Sequence, residues 1–454
     1  FLLLGIPLMW LEWALGRRGG SFGHGSAPGA FASLRKSRWG KYLGALGVFN
    51  PLIIYTYYTY IESWLLAYAF FALVNAYAGQ ELIGFLKTFQ GLDGSPIYAA
   101  YFFFVLTFLA NMFVLRRGIS GGIEKLARWG MPLLLALAVV LMGRVLTLPN
   151  VWDGFGYFWN PDFSRLKDAS VWLAAGGQVF YSLSVGMGII ITYASYLKPQ
   201  DDVALSGLTS AATNEFFEVI VGGSLIIPAA FVFFGAAALA PIAQSGSFNL
   251  GFVTMPLIFQ QIPLGNIFAG LWFALLFLAG ITSSVSVAQP VIAFLQDELR
   301  LSHKKSVNIF TLVAFVLCQP AIFFLGHGVL DELDFWGGSF LLVVLALIET
   351  IYFVWVFGLD NVWQEIQQGA AISLPRFYRF VLKYITPTIL LMIMGAWFWQ
   401  DAVPKFLLAN VNAADKPYII GTWIVMLVLF LILLALIKIA WRKNNHSAKT
   451  RWRQ

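Results

Sequence analysis

The stretch Gln178-Val-Phe-Tyr-Ser-Leu-Ser-Val-Gly-Met-Gly188 decides the fold of this chain. It lies inside a long apolar region, yet it gathers an amide, two serines and two glycines. Backbone groups freed by a helix break in hydrocarbon must be buried in protein or line a polar cavity. The stretch therefore predicts a broken helix whose carbonyls and helix ends hold an ion and a polar solute. A tight contact between small residues of neighbouring helices remains the alternative.

The composition around this stretch indicates an all-α integral membrane protein. Of 454 residues, 59% are hydrophobic and only 11% are charged, whereas charged residues make up about a quarter of a soluble domain. A spanning helix needs about 20 apolar residues, and strictly alternating transmembrane strands are not seen. We expect about eleven spans, near residues 1–16, 42–72, 97–115, 121–147, 170–197, 203–239, 265–296, 306–325, 336–358, 380–400 and 417–440.

The basic residues separate by side of this predicted membrane domain. They concentrate in the first loop, after the third and seventh spans, between the ninth and tenth, and at the C-terminus, whereas the loop near 241–264 carries no charge. This distribution follows the positive-inside rule. It predicts one transmembrane domain over 1–441 and a basic cytoplasmic tail over 442–454. The net charge of +7 therefore needs no nucleic-acid partner.

The sequence offers little for catalysis. The four histidines show no metal-ligand spacing, and the single Cys318 allows no intramolecular disulfide. No Ser/His/Asp set, zinc motif or Gly-Lys-Ser/Thr phosphate loop is found, so neither an enzyme nor an ATP-driven pump is expected. An ion channel would need a continuous polar pore, whereas interrupted hydroxyl clusters favour an occluded site.

Acidic residues within or near the apolar runs need an explanation. They are Glu12, Glu62, Glu215, Glu218 and Glu349. An intramembrane carboxylate costs at least about 2.5–3.5 kcal/mol, so each needs a partner, a proton or a functional role. A structural hydrogen bond to a neighbouring helix backbone is favoured for Glu62 and Glu349. For Glu12 and Glu218 the structural and functional interpretations both stay open.

Two further clusters lie within predicted spans. In the first, Ala279, Thr282, Ser283, Ser286 and Val287 share one helical face. Adjacent hydroxyls suit a hard cation such as Na⁺, although small hydroxyl residues also join membrane helices. The second is the tyrosine-rich run at 55–60, whose hydroxyls can bind a carboxylate while the ring faces enclose an apolar side chain. An interfacial aromatic belt is the alternative for that run.

Together these motifs resemble the neurotransmitter:sodium symporter family, and most closely its bacterial amino-acid transporters of the LeuT type. The residues that carry the resemblance are 5–16, 57–64, 178–196, 206–209, 213–215, 279–290 and 293–299. It extends from Phe1 to about His446. It implies a LeuT-type inverted-repeat helical bundle of twelve helices, of which this chain, as a fragment lacking the first, contains about eleven. Two Na⁺ sites are implied, each completed by the missing helix.

The resemblance also implies roles for individual residues. The substrate site comprises Ile54, Tyr58, Tyr181, Ser182, Ser184, Met187, Ser283 and Val287. The sodium ligands are Ser182, Asn214, Ala279, Thr282 and Ser283. Asp334 belongs to the outer gate, and Asp297, Tyr196 and Gln289 belong to the inner gate. Glu218 stands where chloride-dependent relatives have serine, so its carboxylate would replace the chloride ion.

The implied function is sodium-coupled symport of a neutral, apolar amino acid by alternating access, without chloride. The partners are then the amino acid, sodium ions and the lipid bilayer, with homodimer formation left open. The implied location is a cell membrane, the inner membrane of a bacterium, with the C-terminus in the cytoplasm. A non-transporting amino-acid receptor or a proton-coupled carrier on the same fold is the alternative.

Overall fold

In a computed structural model of the protein, the structure describes residues 1–34, 39–239, 246–409 and 411–451. These residues form helices, several with π-helical turns, and no strand occurs among them. The main helices are α1 Gly5–Ser21, α2 Ala27–Leu34, α3 Leu46–Leu73, α4 Leu82–Gln90, α5 Tyr98–Arg116, α6 Ile119–Leu146, α7 Val151–Trp159, α8 Ala169–Ser182, α9 Ile189–Ala194, α10 Val203–Phe234, α11 Leu250–Gln260, α12 Gly265–Glu298, α13 His303–Phe323, α14 Val329–Gln367, α15 Phe377–Phe406 and α16 Lys416–Arg451.

Within the described ranges, eight helices are long and apolar enough to cross a membrane: α5, α6, α10 and α12 to α16. The three other predicted spans correspond to α1, α3 and the pair α8–α9. Helix α1 has 17 residues, α3 carries the tyrosine- and threonine-rich run, and a gap separates α8 from α9. Length leaves α1, α8 and α9 out of this set, whereas the polar residues of α3 lower its mean hydropathy. The count of about eleven spans stays a prediction.

The last helix includes most of the predicted cytoplasmic tail, because α16 continues to Arg451. Residues 452–454 lie outside the described residues, as do Arg35, Lys36 and Arg38 of the predicted first loop. The loops expected at 73–96 and 148–169 contain the short helices α4 and α7.

The chain forms two compact units, of which the first comprises Phe1–Tyr57, Asp168–Asn214 and Ser286–Gln454. Here α1 packs closely against α9. Gly16 and Gly20 make this possible, because a Cβ atom on either would collide with the carbonyl of Ile191 or Ser195. Small residues allow this close approach of membrane helices. At the end of α1, the buried Arg17 guanidinium donates to the carbonyls of Asp201 at 2.6 Å and Gln368 at 2.7 Å. These contacts fix α1 beside the break between α8 and α9.

The second unit comprises Tyr58–Lys167 and Glu215–Val285. Helix α7 packs on the second half of α10, where a Cβ on Gly154 would lie 2.7 Å from the Pro228 Cα atom. An aromatic cluster centred on Tyr68 fills the interior, with ring centroids 5.0 Å from Phe252 and 5.1 Å from Phe273. This packing holds the second half of α3 beside the first part of α12.

Candidate functional site

In the first unit, the chain between α8 and α9 leaves helical geometry at residues 183–188. Ser184, Gly186 and Gly188 have φ values of 56°, 75° and 72°. This left-handed region is strained for residues with a Cβ atom, whereas glycine enters it freely. The predicted helix break is therefore confirmed, and its glycines are needed for it.

Protein groups hold the backbone of this break. The Gly186 N–H donates to Glu12 Oε1 at 2.6 Å. Asn50 Nδ2 donates to the Gly186 carbonyl at 3.2 Å and to the Leu341 carbonyl at 3.1 Å. Because unpaired backbone groups are costly in hydrocarbon, Glu12 and Asn50 replace the helical hydrogen bonds that the break removes. Glu12 thus has a structural role at the break.

The end of α8 presents polar atoms beside the break. The Ser182 hydroxyl is buried and has no hydrogen-bond partner among the described residues. Buried side-chain polar atoms are nearly always paired, so this hydroxyl at the helix break is available to a ligand. The preceding Tyr181 is 40% exposed. Three apolar residues of the predicted pocket, Ile54, Met187 and Val287, are buried in the same unit.

In the second unit, α12 carries three of the five predicted sodium ligands, Ala279, Thr282 and Ser283. Thr282 Oγ1 and Ser283 Oγ both donate to the Ala279 carbonyl, at 2.8 Å and 3.1 Å. A hydroxyl that gives its proton to a helix carbonyl keeps its lone pairs for a cation. The Tyr58 hydroxyl lies against Ser283, so a predicted substrate group adjoins this oxygen cluster. Three neutral oxygens in one place fit Na⁺, which prefers oxygen ligands.

The sequence model of the Sodium:neurotransmitter symporter family matches residues 98–444. An uncharacterized sodium-dependent transporter of Methanocaldococcus jannaschii is 31% identical over 403 residues, which cover 87% of this chain and 80% of the relative. The chain belongs to the sodium:neurotransmitter symporter family.

Other members show how widely the similarity extends. A sodium- and chloride-dependent glycine transporter 2 of Xenopus laevis is 27% identical over 58% of this chain and 34% of its own length. The crystal structure of MhsT in complex with L-phenylalanine is similar with a TM-score of 0.74 and 28% identity, covering 87% of this chain and 88% of MhsT. The predicted family and LeuT-type fold are therefore confirmed. The chain is a sodium-coupled membrane transporter and not an enzyme.

The predicted gate residues of this symporter lie in the first unit. Gln289 Nε2 donates to the Tyr196 hydroxyl at 3.5 Å, and Asp297 lies close to both Tyr196 and the backbone of Gly25. The inner-gate set is thus brought together. Asp334, of the outer-gate set, lies against the Tyr57 hydroxyl.

The other intramembrane acids differ from what the sequence predicted. Glu62 accepts from Asn111 Nδ2 at 3.1 Å and 3.3 Å, so its partner is a side-chain amide and the expected backbone partner was wrong. The backbone bond expected for Glu349 is also wrong. Its carboxyl lies beside that of Glu12 and interacts with it, so the two side chains form a pair of carboxyl groups. Glu218 lies partly buried in the π-helical turns of α10.

Sequence reasoning missed three polar residues. Asn50 and Asn111 are fully buried in α3 and α5, and an asparagine in an apolar run was the signal that could have revealed them. The third is His24, whose Nδ1 lies 2.9 Å from Glu298 Oε1. No spacing in the sequence connects these two residues, because 274 positions separate them.

Proposed function

We propose that this symporter carries a neutral, apolar amino acid together with Na⁺ by alternating access, and that it does so without chloride. The unpaired Ser182 hydroxyl beside the helix break is the observation that carries the proposal. Exposed ends of broken helices suit the amine and carboxylate of a zwitterion. The buried Ile54, Met187 and Val287 suit an apolar side chain. In this proposal Tyr58 binds the substrate carboxylate, and Tyr181, Ser182 and Ser184 bind its amine.

We assign one sodium ion to Ser182 and Asn214, and a second to the Ala279 carbonyl with the Thr282 and Ser283 hydroxyls. A sodium ion next to the substrate carboxylate would make binding of ion and substrate mutually favourable, and that coupling is reciprocal. An inward-negative membrane potential would add about 2.3 kcal/mol per charge per 100 mV. Sodium entry would therefore drive accumulation of the amino acid.

The first experiment is uptake of a labelled panel of neutral amino acids by proteoliposomes that contain the full-length protein. We expect saturable uptake in Na⁺ but not in K⁺, strongest for apolar side chains, and counterflow of preloaded substrate. Sodium-dependent binding without counterflow would instead show a receptor. Uptake driven by a proton gradient alone would show a proton-coupled carrier. Either result would overturn symport with sodium.

The sodium assignment has a matched pair of variants. Thr282→Val removes a predicted ligand oxygen, whereas Thr311→Val removes a hydroxyl that donates to the Val307 carbonyl of its own helix at 2.7 Å. We expect the sodium concentration for half-maximal uptake to rise about tenfold in Thr282→Val, which corresponds to about 1.4 kcal/mol. Equal values for the two variants would exclude Thr282 as a ligand.

Chloride independence is tested at Glu218. We expect the unmodified protein to transport equally in chloride and gluconate, because this carboxylate supplies the negative charge that chloride would otherwise provide. Glu218→Ser removes the charge and is expected to make uptake depend on chloride. Glu215→Ser, in the same helix α10, is the control and should leave uptake chloride-independent. A flat chloride titration of Glu218→Ser would refute this role.

We also propose that the C-terminus and the first loop face the cytoplasm, as the distribution of basic residues indicates. The buried Cys318 is the only cysteine, so single-cysteine variants give a low labelling background. We expect a membrane-impermeant maleimide to label Lys87→Cys in α4 from outside the cell. Ser21→Cys, at the end of α1, should react only after the membrane is opened. The reverse pattern would invert the topology.

A further inference from the structure

A cavity of about 300 Å³ lies in the first unit, away from the helix break. It is bounded by α3, α13, the start of α14 and the first turns of α16. Ligand pockets in proteins span about 300–1,000 Å³, so this space is large enough for part of a ligand. None of the proposed substrate, sodium or gate residues lines it.

The lining of this cavity is apolar. The two threonine hydroxyls at its wall are already used, because Thr56 donates to the Ile53 carbonyl at 2.6 Å and Thr422 donates to the Tyr418 carbonyl at 2.8 Å. No charged side chain occurs among the described residues that line it. An amino-acid zwitterion would find no partner for its charges there. The cavity therefore fits a hydrocarbon ligand and does not fit the proposed transported substrate.

The shape and surroundings of the cavity point to a chain-like ligand. Its lining along α16 extends from Pro417 to Leu429, which is about 18 Å at 1.5 Å per residue. Beyond Leu429 the same helix exposes Leu431 and Ile432, which are 54% and 50% exposed. Because α16 is apolar enough to span a membrane, its exposed side chains border lipid. Val425 both lines the cavity and is 43% exposed, so the cavity adjoins this lipid-facing surface.

Polar side chains lie next to one end of the cavity, although, Tyr418 apart, they do not line it. Tyr418 lines it and stacks on the His327 ring with 3.9 Å between ring centroids. His327 Nδ1 lies 2.7 Å from Asp415 Oδ1, and Lys416 begins α16 beside them. Tyrosine and charged groups at the end of an apolar span are typical of the membrane–water interface. These polar side chains and the apolar cavity follow the order of a lipid headgroup and its acyl chain.

We propose that this cavity holds one acyl chain of a membrane phospholipid, which lies along α16 with its glycerol end at Tyr418 and His327. Such a bound lipid is a structural ligand of the symporter, and this inference does not depend on the identity of the transported amino acid. A chain in the cavity restores the packing that α16 otherwise lacks against α3 and α13, since an unfilled apolar cavity destabilises a protein in proportion to its volume.

Gly421 provides a direct test, because a Cβ atom there would meet no other atom within 4 Å. Gly421→Leu should fill the cavity without displacing its walls. Gly395→Leu in α15 is the matched control, because a Cβ at that exposed position also meets nothing within 4 Å. Native mass spectrometry of the purified proteins would count retained phospholipid. We expect occupancy to fall at least about tenfold in Gly421→Leu and to stay unchanged in Gly395→Leu.

A second measurement uses the unmodified protein and so does not depend on folding of a variant. A phospholipid with a photoreactive acyl chain should crosslink to peptides that contain residues 417–429 and 317–333. Even labelling of the exposed face of α16, with no enrichment at these residues, would overturn the proposal. So would retention of phospholipid by Gly421→Leu at the unmodified level, or retention of free fatty acid in place of phospholipid.

Discussion

Glu12 and Glu62 are two buried glutamates whose carboxyl groups have different kinds of hydrogen-bond partner. In the first unit, Glu12 accepts from the backbone of Gly186, where the helix is broken. In the second unit, Glu62 accepts from the Asn111 side chain, which in turn accepts from Ser284 Oγ at 2.6 Å on an unbroken α12. A carboxylate bound to backbone stabilises an irregular main chain, whereas one bound to side chains stabilises helix packing. The partner therefore determines what each glutamate does.

Substitution of a glycine by alanine is expected to show the largest difference between the surroundings of Glu12 and those of Glu62. A Cβ on Gly186 would collide with the Leu342 carbonyl and would require φ of 75°, and such strain alone costs roughly 1–3 kcal/mol. A Cβ on Gly280 of α12 would lie 3.2 Å from Glu62 Cγ, so that side chain would have to shift by only a few tenths of an ångström, and no positive φ is required there. We expect Gly186→Ala to abolish uptake and folding, and Gly280→Ala to retain both.

Thermal unfolding in detergent and sodium-dependent uptake would measure this pair of glycine variants. A Gly186→Ala protein with an unchanged melting temperature would show that the break tolerates ordinary residues. Glycine at position 186 would then not be required for the helix break.

The second-largest effect on stability is expected when the hydrogen-bond acceptor of Glu12 is removed. Glu12→Ala leaves the Gly186 N–H without its partner, and an unsatisfied buried donor costs about 1–3 kcal/mol. Glu12→Gln keeps an acceptor oxygen and should retain most of the stability. Melting temperatures of the two variants would separate acceptor loss from charge loss. Equal destabilisation by both variants would mean that the charge of Glu12, and not its acceptor, holds the break.

A smaller effect is expected at Glu62. Glu62→Gln still accepts from Asn111 Nδ2 through its carbonyl oxygen, so the free energy of unfolding should change by less than about 1 kcal/mol. Asn111→Leu removes the amide and leaves the Glu62 carboxylate buried without its donor, so it should destabilise more. Denaturant unfolding of the two variants would rank them. The opposite order would show that the charge of Glu62 is needed for more than packing.

The smallest expected effect on stability is at His24, which lies between α1 and α2 in the first unit. Burial lowers the pKa of this imidazole, but the hydrogen bond to Glu298 and the charges of Glu298 and Asp297 outweigh burial and raise the pKa above 6.5. The charged ring therefore stabilises the fold below pH 6.5, and this stabilisation is lost as the pH rises through the raised value. The nearby Lys41 contacts the Trp441 ring, on which His24 also stacks.

Melting temperatures between pH 6 and 8.5 would check this expectation. The unmodified protein should lose slightly more stability with rising pH than His24→Gln, by less than about 1 kcal/mol for a partly exposed pair. Parallel profiles of melting temperature against pH for the two proteins would show that His24 does not contribute to the pH dependence of stability.

Local sequence patterns predicted the local features of the site. The break at 183–188 followed from glycine and serine in an apolar run, and the oxygen cluster at Ala279, Thr282 and Ser283 followed from helical periodicity. The partners of Glu12 and Glu62 could not be predicted in this way. Glu12 meets Gly186 across 174 positions, and Glu62 meets Asn111 across 49. Such contacts depend on how helices pack, which residue periodicity does not specify.

The glycine contacts between α1 and α9 have a mechanical consequence. At Gly16 and Gly20 the backbone of α1 lies directly on the backbone of Ile191 and Ser195. No side chains separate the two helices at these points, so they cannot easily slide past each other. We therefore expect α1 and α9 to move together as one rigid body, with the non-helical segment at 183–188 as its joint. A larger residue at position 16 or 20 would therefore change how far a movement at the joint is transmitted along α1, even where the joint itself is intact.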